Sequence, residues 1–222
     1  MEILNLGSHR IGVRFPEKGL RKGKNPAILL NDGELIEQLN LRTERAVLVG
    51  VYPNNRLSEY TPWPEPAIRP GTPNFGGQLG QYHRELNNEI LPALMDEYAL
   101  DTEKLAYGGY SLGGLAATMS LWETDAFAAV FSLCGSFWYP GVADFIEEHV
   151  PKNYSAQVYL QNGIREGEGH NNRLCDAYSY AQRIHTALQA TCGAKTVLDD
   201  YGHHDRQSER LNAALRWVER VL

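Results

Sequence analysis

The pentapeptide Gly109-Tyr110-Ser111-Leu112-Gly113 narrows the possible folds more than any other stretch of the chain. A serine between glycines requires a turn so tight that side chains at the flanking positions would collide, with a strand entering and a helix leaving. Both flanks fit. Leu105-Ala106-Tyr107 enters as a short apolar run, and an Ala- and Leu-rich run follows to Trp122. A helix starting behind Ser111 would offer free N–H groups and its positive dipole end to negative charge developing on an oxygen. The competing reading is a Gly-rich turn of another doubly wound fold, with serine only capping the helix. No GxGxxG or Walker pattern accompanies it.

The remainder of the chain alternates in the same way. Short apolar runs ending at turn residues read as buried strands at Ala27–Leu30, Ala46–Tyr52, Leu105–Gly108, Ala128–Leu133, Val158–Leu160 and Thr196–Leu198. Between them, apolar residues recur at helical steps over Gln81–Tyr98, Leu112–Trp122, Asn171–Ala190 and Arg206–Val221. Strands alternating with helices predict an α/β protein with a mostly parallel central sheet and helices on both faces. Glu2–Phe15 has no intervening helix and predicts an antiparallel hairpin at the sheet edge, and Lys18–Lys24 a solvated turn joining two strands. One domain spanning residues 1–222 suits this length. Prolines at 53, 62, 64, 66, 70 and 73 exclude a helix or a central strand over Pro53–Pro73. Its Tyr60 and Trp63 favour an ordered loop packed near a pocket.

Composition excludes several classes. No apolar run reaches the roughly 18 residues of a membrane span, and the N-terminus lacks the basic and apolar regions of a signal peptide. A net charge of −6 argues against nucleic acid as partner. Cys134, Cys175 and Cys192 form neither a CxxC pair nor an even set, which argues against a disulfide framework or a zinc site. A cytoplasmic protein without metal or cofactor is expected. The oligomeric state is not encoded in any motif.

A serine nucleophile needs a base, and the base an orienting acid. In a strand–serine–helix architecture these follow in the order serine, acid, histidine. The histidine belongs after the last strand and before the C-terminal helix, where Tyr201-Gly202-His203-His204-Asp205 stands; His203 and His204 are the candidates, with His204 favoured. The acid belongs after Ala156–Leu160, where Glu166 and Glu168 stand, with Asp176 further on. His203, His204 and Asp205 as metal ligands lack any completing motif. His170, in a Gly-rich loop near Glu166, is a candidate to line the site; His9, His83, His149 and His185 are expected to be structural or exposed.

Gly108–Leu115, Arg56 with Glu59-Tyr60-Thr61-Pro62, Asn88–Pro92, Ser132–Trp138 and Gly202–Asp205 together resemble the putative-esterase family. That family includes enterochelin esterases, esterase D and the mycobacterial antigen 85 acyltransferases, and the enterochelin-esterase branch is the nearest in motif. The resemblance runs over residues 27 to 220. It implies an α/β-hydrolase fold acting on a small-molecule carboxylic ester, and the length of the chain predicts little or no lid between the strands. The resemblance further implies Ser111 as nucleophile, His204 as base because the family's histidine stands before an aspartate, and Glu166 as acid, three residues after Gly163. The backbone N–H groups of Leu112 and Glu34 would hold the oxyanion, with Gly33 making the turn. Arg56, Tyr60, Trp63 and Trp138 are candidates to shape the substrate pocket. Arg206 departs from the family, which usually has an aromatic there. An acyltransferase using the same serine, and a non-catalytic binding module on this scaffold, are the rival readings.

Overall fold

The computed structural model describes residues 1–222. The chain runs β1 (Glu2–Leu6), β2 (His9–Arg14), β3 (Asn25–Asn31), α1 (Leu35–Gln38), β4 (Val47–Tyr52), α2 (Arg56–Glu59), β5 (Pro64–Glu65), β6 (Phe75–Gly76) and α3 (Leu79–Glu85). A π-helical turn at Leu86–Ile90 leads into α4 (Leu91–Tyr98), then β7 (Leu100–Tyr110), α5 (Leu112–Glu123), β8 (Ala129–Leu133), α6 (Val142–Glu148) and β9 (Gln157–Gly163). A 3₁₀ turn at Arg173–Asp176 precedes α7 (Ala177–Cys192), β10 (Lys195–Asp199) and α8 (Gln207–Val221).

Eight strands form one sheet in the order β1-β2-β4-β3-β7-β8-β9-β10. From β4 to β10 all neighbours are parallel, while the β1–β2 hairpin is antiparallel and joins β4 antiparallel. This is the expected α/β-hydrolase arrangement with an antiparallel N-terminal edge. Successive strand residues feed opposite cores, as the period of two requires. Ala27 and Leu29 face the larger core with residues of α3 to α7, whereas Ile28 and Leu30 face the smaller one with Leu35 and Ile36 of α1 and Leu211, Leu215 and Val218 of α8.

The sheet order reverses around β3, whose chain successor β4 lies on one side and β7 on the other. Ligands of open parallel sheets bind at such a reversal, beyond the carboxyl ends of the strands. Ser111 follows β7 there, and Asp32 follows β3.

The proline-rich segment departs from expectation. It holds a one-turn helix, α2, capped by the Asn55 side chain, which accepts from Ser58 N–H at 3.2 Å. Pro53 and Pro62 leave the intervening residues free to coil. The two-residue β5 pairs only with β6, outside the main sheet. Helices α1 and α6, and the π-helical turn inside the long α3–α4 run, carry too few residues to show a period in sequence.

Candidate active site

Ser111 adopts φ 58° and ψ −122° as the residue preceding α5. A non-glycine residue in that region stores about 1–3 kcal/mol of strain and persists only where its surroundings enforce it. Here Ser111 N–H donates to Leu133 O at 2.9 Å, and its carbonyl accepts from Ser136 N–H and Leu115 N–H, both at 3.0 Å. The strained turn lifts the hydroxyl out of the sheet, 3.2 Å from Ser136 Oγ.

His203 Nε2 lies 3.0 Å from Ser111 Oγ, and His203 Nδ1 lies 2.9 Å from Glu166 Oε2. Glu166 is 5 % exposed, and its other oxygen accepts from Gly163 N–H at 2.8 Å and Asn162 Nδ2–H at 3.2 Å. Burial alone would raise its pKa; the hydrogen bond and charge of His203, with the Gly163 N–H, outweigh that and hold it below the ordinary value. Glu168 instead pairs with Arg165 at the surface, and Asp176 immediately precedes α7.

The structure puts His203, rather than the expected His204, between Ser111 and Glu166. Gly202 N–H donates to Asp205 Oδ2 at 2.8 Å, so the aspartate closes the loop on itself. Adjacent side chains in that turn diverge. His203 points inward, while His204 is exposed and meets the His203 ring edge-on at a centroid distance of 4.8 Å. The motif favours the histidine that precedes the aspartate; the loop backbone instead turns its neighbour His203 inward.

Three groups hold that loop. Tyr110 Oη–H donates to the His203 carbonyl. Arg210 Nη1–H donates to Gly202 O at 3.0 Å and Tyr110 Oη at 3.2 Å, while its Nε bonds Asp199 Oδ2 at 2.8 Å. A Cβ on Gly163 would sit 1.9 Å from Tyr201 O, so only glycine lets the acid loop and the histidine loop cross this closely. Tyr110 was visible in sequence only as the variable position of the pentapeptide, and Arg210 only as a residue of a C-terminal helix.

On the opposite side, Asp32 (φ 57°) and Gly33 turn the chain after β3. A Cβ on Gly33 would approach Gly50 C to 2.7 Å, so the turn must pack backbone against backbone. Arg56 grips Asp32 in a two-pronged pair, Nε–Oδ1 2.7 Å and Nη2–Oδ2 2.9 Å, and Asp32 N–H donates to Tyr60 Oη at 2.9 Å. The turn delivers Glu34, whose N–H has no acceptor in the chain, to a cavity that also exposes Ser111. Leu112, the first residue of α5, likewise precedes the first intrahelical bond.

Two cavities meet at Ser111 and His203. One, of about 270 Å³, is polar and includes Asp32, Glu34, Arg56 and Gln207. The other, of about 300 Å³, includes Ile68, Arg69, Trp138, His170 and Leu174. Of the four expected pocket residues, Arg56 and Trp138 therefore reach a cavity. Tyr60 and Trp63 do not: Tyr60 is fully buried under the Asp32 turn, and Trp63 packs on Tyr139 and Phe145 with its Nε1–H on Pro140 O at 2.9 Å. Both belong to the proline-rich segment whose Ile68 and Arg69 reach the cavity.

Cys134, Glu166 and His203 bring potential ligand atoms within 4.8 Å of one another. Those atoms are already engaged, since Arg210 Nη1 approaches Cys134 Sγ to 2.8 Å and Glu166 holds His203. Burial pushes the thiol pKa up, and a cationic neighbour opposes a metal ion there. No helix is long and apolar enough to cross a membrane.

Comparison with known proteins agrees with the fold. The family model described as "Putative esterase" matches residues 7–217. An uncharacterized Bacillus subtilis protein, YbbA, is 28% identical over 204 residues, covering 83% of this chain and 82% of its own. Among solved structures, the BES protein from Bacillus cereus superposes with a TM-score of 0.73 at 20% identity, over 95% of this chain and 90% of that one. The siderophore hydrolase EstA from Aspergillus nidulans reaches 0.74 at 17% identity, over 96% and 90%.

Proposed function

The chain belongs to the Esterase family of carboxylic ester hydrolases, and on that premise we propose that it cleaves its ester through an acyl-enzyme on Ser111, with His203 as base and Glu166 as the acid that orients it. The observation that carries the reading is the continuous hydrogen-bonded series Ser111 Oγ–His203 Nε2 at 3.0 Å and His203 Nδ1–Glu166 Oε2 at 2.9 Å.

The steps follow from the atoms. Glu166, ionised, accepts the Nδ1 proton and leaves a lone pair on His203 Nε2. That nitrogen takes the Ser111 proton as Oγ bonds to the ester carbonyl carbon. The carbonyl oxygen becomes an oxyanion, held by the free N–H groups of Leu112 and Glu34; one such donor contributes about 3–4 kcal/mol. His203 then returns the proton to the leaving alkoxide, and the acyl group stays on Ser111. Water, deprotonated by His203, attacks the acyl carbon; the C–Oγ bond breaks to release the acid, and His203 returns the proton to Ser111 Oγ.

The two cavities meeting at Ser111 suit an ester with substituents on both sides of the scissile bond. Similar structures named as siderophore hydrolases make siderophore esters the first substrates to screen. The test is hydrolysis of a p-nitrophenyl ester, with fluorophosphonate labelling. Ser111→Ala should lose both activity and label at unchanged melting temperature. Full activity in that variant would overturn the assignment. Transfer of the acyl group to an added alcohol in preference to water would make the protein an acyltransferase on the same serine.

A further inference from the structure

Behind Glu166, on the side away from His203, the polar contacts continue into the protein. His185 Nε2 lies 3.0 Å from Asn162 Oδ1, and Asn162 Nδ2 lies 3.2 Å from Glu166 Oε1. His185 comes from α7 and Asn162 from β9, and they are 4 % and 1 % exposed. A buried imidazole is costly, and this one has no partner at Nδ1. The steps of the proposed reaction do not use it.

The direction of every hydrogen in this series is forced. An ionised Glu166 only accepts, so Asn162 must turn its NH₂ toward it. The Asn162 carbonyl oxygen then faces His185, whose Nε2 must carry the proton. Burial holds His185 well below the ordinary histidine value, at about 4, so the ring is neutral and its Nδ1 bears the lone pair. From the other end, His203 Nδ1–H points to Glu166 Oε2. Donors converge on the carboxylate from both sides.

We propose that His185 is a positioning residue for this site: its Nε2–H fixes the Asn162 amide, the amide fixes the Glu166 carboxylate, and the carboxylate thereby holds His203 in the tautomer that faces Ser111. The proposal rests on the roles assigned above to Ser111, His203 and Glu166. Without the His185 donor, the Asn162 carbonyl oxygen is buried without a partner, and the amide is anchored only from its NH₂ side, by Glu166 at 3.2 Å and Gly135 O at 3.5 Å. It can then shift toward another donor, and the carboxylate it holds loosens from His203.

Three variants test this by steady-state kinetics. His185→Leu should lower kcat by about ten- to a hundredfold, as small misplacements of a catalytic group do, with KM little changed. His185→Gln, whose side-chain NH₂ can reach the same oxygen, should restore most of kcat. The downfield proton NMR signal of His203 Nδ1–H should shift or broaden in His185→Leu and return in His185→Gln. Asn162→Ala should show the same kcat loss, and combining it with His185→Leu should add little further, because one acts through the other. Wild-type kcat and an unmoved signal in His185→Leu would overturn the proposal. So would additive losses in the double variant; if His185→Leu folds poorly, Asn162→Ala decides the matter, and wild-type kcat with an unmoved His203 signal in it would overturn the proposal. Failure of the underlying reading is separate: there, wild-type protein would take no fluorophosphonate on Ser111.

Discussion

The hydroxyl of Tyr110, one residue before Ser111, donates its hydrogen to the backbone carbonyl of His203. The turn that exposes Ser111 thus also grips the loop bearing its partner, and the two rings meet edge-on at 5.7 Å. Tyr110→Phe keeps the ring and removes the donor. It leaves the His203 carbonyl without its partner, while Arg210 Nη1 keeps Gly202 O and Cys134 Sγ, and this costs about 1–3 kcal/mol of stability. Thermal melts should show that loss, and kcat should fall by about tenfold while KM holds. Unchanged kcat would mean that Arg210 alone holds the loop.

Exchanging the two adjacent histidines separates their roles. His203→Gln should reduce kcat by roughly 10⁴-fold or more, as loss of a base does in serine hydrolases. His204→Gln, at an exposed ring that flanks both cavities, should change kcat by only a few-fold and act mainly on KM. The reverse ranking in a p-nitrophenyl ester assay would restore the motif-based choice.

This pair shows what was legible in the sequence and what was not. The glycine-flanked serine and the alternation of apolar runs specify local geometry, so the sheet, its helices and the place of each loop follow from them. Which of two neighbouring side chains turns inward depends on Asp205 closing its loop and on Arg210 pulling from α8, and both are contacts across the fold. The same holds for Tyr60 and Trp63. Their aromatic character marks an ordered loop, but only packing decides that they lie under it. Helix α2 escaped because prolines on either side conceal a single capped turn.

Arg56 supports the turn that presents Glu34. Arg56→Ala leaves the Asp32 carboxylate, itself 4 % exposed, without its partner. The guanidinium is partly solvated, so the stability loss should be about 1–3 kcal/mol, less than for a fully enclosed pair. Displacing an oxyanion donor costs up to about 10²–10³ in kcat, and a partial shift here should cost about tenfold. Arg56→Lys keeps the charge without the two-pronged grip and should recover stability better than kcat. Denaturant melts and initial rates on the same preparations would check both.

His9 links the N-terminal hairpin to the helices around the site. Its Nε2 lies 3.3 Å from Glu59 and its Nδ1 3.1 Å from Glu85. Burial lowers its pKa, but the two carboxylates outweigh that and leave it above the ordinary histidine value of 6.5. The sign follows from linkage. The cationic ring's contribution to stability is fully present below pH 6.5 and is lost as pH rises through the higher folded value. The Glu85 value is held down, so its share is present above 4.5 and lost as pH falls through its folded value. His9→Gln should therefore lower the melting temperature more at pH 5.5 than at pH 8.5, by calorimetry. An equal drop at both would refute the charged clasp.

The clasp of Arg210 on the histidine loop bears on when a newly made chain becomes dangerous to its surroundings. During synthesis Ser111 emerges 92 residues before His203. The strained turn forms with β7, β8 and α5, yet the imidazole reaches it only after α8 has left the ribosome and docked through Asp199 and Gly202. A chain cut before Arg210 would thus carry Ser111 without the clasp that seats His203 beside it.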